Sequence, residues 1–435
     1  MNARYASQPV ALGVVTTIFF MWGFITVLND VLIPHLKSVF TLNYAQAMLV
    51  QFIFFGAYFV MSLPAGRVVA RFGYRDAIVI GLAVTGAGAL LFIPAARMVS
   101  YALFLGGFFV LASGITLLQV AANPYVSLLG DARYASSRLN LAQALNSLGT
   151  TIGPKIGGLL ILSGAVLGVE ELAALAPAAR AAYQSQQAQL VTLPYLLLAG
   201  VLFALAVGVR LFRLPPLTEA TARGDAQPHR FGEVLRHRHV RHGVVAIFVY
   251  VGAEVAIGSF LISYLSMPRI GGLSESAAAG YVSLYWGGAM VGRFAGFALL
   301  RKLDARLLLG VFAAVACVLL LVTMSSEGRV ALWSIVAIGL FNSIMFPTIF
   351  TLGIERLGPM TDKASSLLIM AIVGGAIVPL LQGLLADRIG VQPAFALPLV
   401  CYGYIVWYGL RGSRIDEHGA LVGAAASPSS TRAMH

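Results

Sequence analysis

The chain alternates long apolar runs with short polar stretches. A helix needs about 20 apolar residues to cross a bilayer. Runs of that order fall at 10–36, 45–70, 76–96, 100–129, 138–165, 192–213, 241–267, 275–301, 305–325, 329–357, 364–387 and 393–412. The longest break between them, 214–240, is rich in Arg, His, Pro and Gly and leaves six runs on either side. The pattern predicts an all-α membrane protein of 12 transmembrane helices arranged as two six-helix bundles. Their boundaries are 1–213 and 241–412, with 214–240 as a cytoplasmic linker. The last stretch, 413–435, is small and polar, and the expectation there is disorder.

Composition sharpens this picture. Of 435 residues, 59% are hydrophobic and 11% charged, and the mean hydropathy is +0.86. A soluble domain carries roughly a quarter charged residues. A net charge of +12 would suggest nucleic acid in a soluble chain. Here the basic residues sit between apolar runs, where they set orientation, so nucleic acid is not an expected partner. With the N-terminus inside, 21 of the 29 Lys and Arg fall on inner segments and 6 on outer ones. That bias predicts both termini inside. Cys317 and Cys401 both lie in apolar runs, so no disulfide framework is implied. The first run is too long for a cleavable leader's apolar region and has no small-residue cleavage site behind it.

The halves read as repeats. Gly66-Arg67 returns as Gly292-Arg293, an offset of 226. Pro124 and Leu129-Gly130 return as Pro347 and Leu352-Gly353, an offset of 223. Gly149 and Pro154 return as Gly374 and Pro379, an offset of 225. Near-equal offsets from separate landmarks imply parallel repeats about an axis along the membrane normal. Transporters built this way bind substrate near the midplane between their halves and rock around it.

Polar side chains inside the runs carry the chemistry. Asp30 lies in the first run, beside Asn29 and ahead of Pro34. A carboxylate there costs roughly 3 kcal/mol on insertion scales, and such residues usually serve function. Asp30 is the candidate proton-coupling switch; the structural alternative is an interhelix hydrogen bond. Glu254 lies about 18 Å into the seventh run. It fits a second proton site, a sugar ligand or a pairing partner for a cation. Placement against lipid or beside Arg293 would end its candidacy as a working acid.

Amides form two stripes. Gln119, Asn123 and Ser127 are four apart in the fourth run; Asn140, Gln143 and Asn146 are three apart in the fifth. A carboxamide both donates and accepts hydrogen bonds, as a sugar hydroxyl does. With Asn29, Asn342 and Gln382, these amides are the substrate-binding candidates. Aromatics that could cover a sugar's apolar face are Phe20, Trp22, Tyr125, Tyr250, Tyr264, Tyr285 and Trp286. For each residue the competing role is helix joining or packing. Charges crowd two inner loops, Arg67, Arg71, Arg75 and Asp76 after the second run, and Arg293, Arg301, Lys302, Asp304 and Arg306 after the eighth. These act either as gate contacts or as orientation signals.

Several of these segments carry a resemblance. Asn29-Asp30 with Pro34, LQVAANPY at Leu118–Tyr125, RLNLAQALNSLG at Arg138–Gly149 and FPTIFTLGIERLG at Phe346–Gly358 resemble the major facilitator superfamily. Within it they resemble the bacterial fucose/glucose/galactose–proton symporters, over nearly all of 10–412. The resemblance implies the major facilitator fold, Asp30 as coupling carboxylate, and Gln143 and Asn146 as sugar contacts. The chain departs from the superfamily at Ala70, where an acid is usual, and from the fucose branch at Gln119, where that branch has glutamate. Glutamine there looks like the glucose/galactose branch.

The expected function is therefore proton-coupled import of a neutral hexose across the bacterial inner membrane, by a monomer. The expected partners are the sugar, protons and membrane lipid, with no cofactor and no metal. Alternatives are a sodium-coupled or passive transporter, or a symporter for N-acetylglucosamine, fructose, sucrose or fucose. An enzyme would need a nucleophile–base pair or metal set in the runs. The histidines supply none: His35 is near a run's end, and the others lie in 229–242 or the tail.

Overall fold

The computed structural model describes residues 8–40, 42, 44–161, 174–212, 214–215 and 230–415. At some helical positions, among them Asn29, Asp30, Pro154 and Lys155, only the backbone is described. The expectations for the linker over 216–229 and the tail beyond 415 lie outside the described residues.

Every predicted run is helical over most of its described length. The helices are α1 (Gln8–Val39), α2 (Tyr44–Arg97), α3 (Tyr101–Leu128), α4 (Ala135–Ile161), α5 (Pro177–Gln189), α6 (Thr192–Leu211) and the short α7 (Phe231–Val234). They continue as α8 (Arg238–Leu265), α9 (Glu275–Leu299), α10 (Ala305–Ser325), α11 (Gly328–Asn342), α12 (Met345–Gly353), α13 (Thr361–Met370) and α14 (Gly374–Ile389). The last are the short α15 (Val391–Ala394) and α16 (Ala396–Trp407), which a π-helical turn extends over Tyr408–Gly412. Among the described residues, nine helical stretches are long and apolar enough to cross a membrane.

The second and third predicted runs are the two arms of α2, which breaks at Gly73 (φ 79°, ψ 169°). That positive φ is open to glycine and strained for other residues. Polar residues start other helices: Ser100 accepts from the Leu103 amide at 3.4 Å, Ser274 from Ala277 at 3.3 Å and Asp304 from Leu307 at 3.0 Å. The tenth run is broken between α11 and α12, just ahead of Pro347, which falls in the first turn of α12 where a missing N–H is tolerated. The eleventh is interrupted by a 3₁₀ turn at Ala371–Val373. At the far end of the expected linker, α8 begins at Arg238, ahead of the apolar run at 241.

Close packing repeats between the halves. α4 lies on α1, and a Cβ on Gly149 would run into the Phe20 carbonyl oxygen. α14 lies on α8, and a Cβ on Gly374 would run into the Phe248 carbonyl oxygen. These glycines are the pair found by offset in the sequence, and each allows two backbones to touch.

Three hydrogen bonds across the two halves lie toward one side. The Ser136 and Thr351 hydroxyls are 2.6 Å apart, Ser137 donates to the Phe297 carbonyl at 2.7 Å, and Ser365 donates to the Val120 carbonyl at 2.9 Å. Two further cross-half hydrogen bonds, Arg293 to Ser147 and Thr151 to the Met290 sulfur, lie nearer the middle. The two halves are thus joined near the helix ends that the sequence expectation puts inside.

Candidate functional site

The first half contributes α3 and α4. Gln119 is 8% exposed and donates from Nε2 to the Tyr58 hydroxyl at 2.7 Å. Asn123, one turn on, is fully buried and its amide has no partner among the described residues. On α4, Asn140 donates to the Ser136 carbonyl at 3.4 Å and faces Gly296 of α9. Asn146 donates to the Phe19 carbonyl at 2.9 Å, which ties α4 to α1. Gln143 is 6% exposed and makes no side-chain hydrogen bond among the described residues. Of the α3 and α4 amides, it is the one with a slightly exposed side chain and no partner among the described residues.

Asn29 and Asp30 lie on α1, with side chains outside the described residues. The backbone places Asp30 about 16 Å further along α1 than Phe19, the residue Asn146 bonds.

The second half contributes a buried network around Glu254. Tyr250 lies one turn before it on α8 and offers its proton to Glu254 Oε1 at 2.8 Å, with the Asn342 carbonyl oxygen 3.0 Å away. Asn342 donates to the Tyr285 hydroxyl at 2.7 Å and accepts from the Tyr402 hydroxyl at 2.6 Å. Asn342 is fully buried and its amide is spent on two tyrosines, so here it holds protein groups.

Arg293 Nη2 stands 4.0 Å from Glu254 Oε1. That separation fits pairing with a cation, one of the three roles open to Glu254, because a buried guanidinium needs a counter-charge nearby. Arg293 itself is six residues inside α9, not in the inner loop.

Arg293 also joins the halves. Its Nε donates to the Ser343 carbonyl at 3.3 Å and its Nη1 donates to the Ser147 hydroxyl on α4. Ser147 donates in turn to the Gln143 carbonyl at 3.1 Å. The α4 stripe and the Glu254 network are therefore one continuous polar seam. Gln382 stands apart: it is fully buried and unpartnered among the described residues, on the α14 face that packs against α8.

Sequence reading missed Tyr58, Ser147 and Tyr402. Tyrosine in place of phenylalanine within a span was the available signal, since a buried hydroxyl needs a partner. Three of the other aromatics are held by protein groups. Trp22 is buried against Phe19 with ring centroids 4.0 Å apart, Tyr125 donates to the Pro215 carbonyl and Tyr264 to the Thr323 carbonyl. Two of the charges assigned to the inner loops pair within their own half, Asp76 with Arg210 at 3.0 Å and Arg306 with Glu355. Among the described residues, no three His, Cys, Asp or Glu side chains come together as a metal site.

An all-helical chain with spans this apolar and a polar seam buried between its halves is a multi-pass membrane protein of the transporter class. A family model of the Major Facilitator Superfamily matches residues 11–372, and the chain belongs to that family. It is 53% identical over 405 residues to a glucose/galactose transporter of Brucella abortus, covering 93% of this chain and 94% of that protein. It is 35% identical to the L-fucose-proton symporter of Escherichia coli, covering 92% of each. Its fold matches the crystal structure of the major facilitator transporter FucP in the outward conformation, with a TM-score of 0.88 and 34% identity. That match covers 94% of this chain and all of the other. Members of this family are transporters and not enzymes.

Proposed function

We propose that the protein imports a neutral hexose together with a proton across the bacterial inner membrane. Two six-helix bundles, 1–213 and 241–412, rock about the seam, and both termini lie inside. The observation that carries this reading is the gathering of cross-half hydrogen bonds on one side of an amide-bearing midplane. A seam closed on the inside fits a state open to the outside, the first state of an import cycle. The relative named glucose/galactose transporter supports a hexose, and the relative named L-fucose-proton symporter supports proton coupling. Gln119, which cannot titrate, leaves the proton to Asp30.

In this cycle Asp30 takes a proton from the outside and favours the sugar-loaded state. Gln143, Gln119 and Asn146 exchange hydrogen bonds with sugar hydroxyls. Closure above the sugar and opening below it releases sugar and proton inside. The experiment is transport in proteoliposomes by Asp30→Asn. Exchange of labelled sugar in counterflow, which needs no net proton movement, is expected to continue. Uptake driven by an imposed pH gradient is expected to vanish. Surviving pH-driven uptake would falsify the coupling role, and uptake driven by a sodium gradient alone would replace the proton.

A further inference from the structure

We infer that Arg293 is a sugar-contacting residue supplied by the second half, with Glu254 as the counter-ion that orients it and keeps the site neutral. The inference rests on the sugar-symport reading above.

The first argument is the placement of the charge. Arg293 is inside a membrane helix with its side chain only 12% exposed, where an ionised group is costly unless it is used. A pair serving stability alone would close to direct hydrogen bonds of about 2.8 Å. Instead the carboxylate oxygen is 4.0 Å away and takes its short bond from Tyr250. The guanidinium reaches past it, to Ser147 on the opposite half.

The second argument is the count of donors. A guanidinium has five N–H groups. The Ser343 carbonyl takes one and Ser147 takes another. Even if the distant carboxylate is granted a third, donors remain at the seam. One turn from Ser147 on the same α4 face is Gln143, without a side-chain partner among the described residues. An unpaired amide and spare charged N–H groups on facing helices suit a hydroxyl-rich ligand, whose oxygens accept from one and exchange with the other.

The third argument concerns ligand charge. Glu254 already balances Arg293, so a sugar acid entering the seam would add an unmatched negative charge in a low-dielectric site. The pair selects neutral sugars. Removing the acid while keeping the base should open the site to hexuronates.

The test is equilibrium binding to the purified full-length protein, with D-glucose, D-galactose and D-glucuronate as probes and thermal unfolding measured alongside. Arg293→Lys keeps the charge opposite Glu254 but loses the fork. It is expected to weaken hexose binding on the order of tenfold, with its unfolding midpoint near that of the parent. Glu254→Gln is expected to gain D-glucuronate binding. If Arg293→Lys does not fold, the double variant Arg293→Gln, Glu254→Gln serves, because it removes both charges and strands neither; it too should bind hexose weakly. Parent-like hexose affinity in a folded Arg293 variant overturns the assignment and leaves the symport reading intact. A parent protein that binds no neutral sugar sinks the symport reading, and this assignment with it.

Discussion

Gln143 and Asn342 are both buried amides in membrane helices, yet their surroundings differ. Asn342 holds Tyr285 and Tyr402 through both ends of its carboxamide, whereas Gln143 bonds no side chain among the described residues. Asn342→Ala leaves the Tyr402 hydroxyl without its acceptor, so a loss of roughly 1–3 kcal/mol in stability is expected. Gln143→Ala is expected to lower the unfolding midpoint less and sugar affinity more. Thermal unfolding and binding titration on the two variants check the contrast. Tyr58→Phe belongs to the same scale. It strands Gln119 Nε2, and the expected cost is about 1 kcal/mol with a several-fold fall in sugar affinity. Composition could not separate these amides, because one carboxamide reads like another until its neighbours are known.

Helix pairing depends on a few points of backbone contact. Gly149 and Gly374 each face a carbonyl oxygen of the neighbouring helix, Phe20 and Phe248 respectively. A backbone oxygen cannot step aside as a side chain can. Alanine at either position is expected to cost about 1–3 kcal/mol and to reduce transport, because α4 and α14 would be pushed off their partners. Gly106, where an added Cβ would meet nothing within 4 Å, is the control. Alanine there should be neutral or stabilising by up to about 1 kcal/mol. Unfolding midpoints and uptake rates of the three variants check this. The glycines were visible in the sequence as a repeat. What they touch was not, since a repeat offset says nothing about which helix lies alongside.

At the scale of the whole molecule, the proposed transport cycle turns on the seam. Ser136 and Thr351 meet across it with oxygens 2.6 Å apart, which makes cysteines at both positions candidates for cross-linking. Cross-linking Ser136→Cys with Thr351→Cys, in a background where Cys317 and Cys401 are alanine, should hold the inner side shut. Sugar uptake into proteoliposomes is expected to stop, sugar binding from outside to persist, and reduction to restore uptake. If cross-linked protein still transports, the closed inner seam is not a gate. The ion pairs Asp76–Arg210 and Arg306–Glu355 each join groups within one half, so breaking them should leave the seam in place.

Hydropathy alone carried the twelve helical runs and the apolar class, because a bilayer imposes one length and one polarity on every segment that crosses it. The same rule made Asp30, Glu254 and the amides conspicuous, since polar atoms in such runs are rare enough to notice. Partners were beyond its reach. That Glu254 lies beside Arg293, that Arg293 reaches Ser147 from the other half, and that Tyr58 holds Gln119 all depend on residues 39 to 146 positions apart. Such pairs are set by how helices cross and rotate against one another, and that is fixed by close packing over many contacts at once. No single run of sequence contains both members of the contact, so the role of each polar side chain became legible only when the helices were assembled.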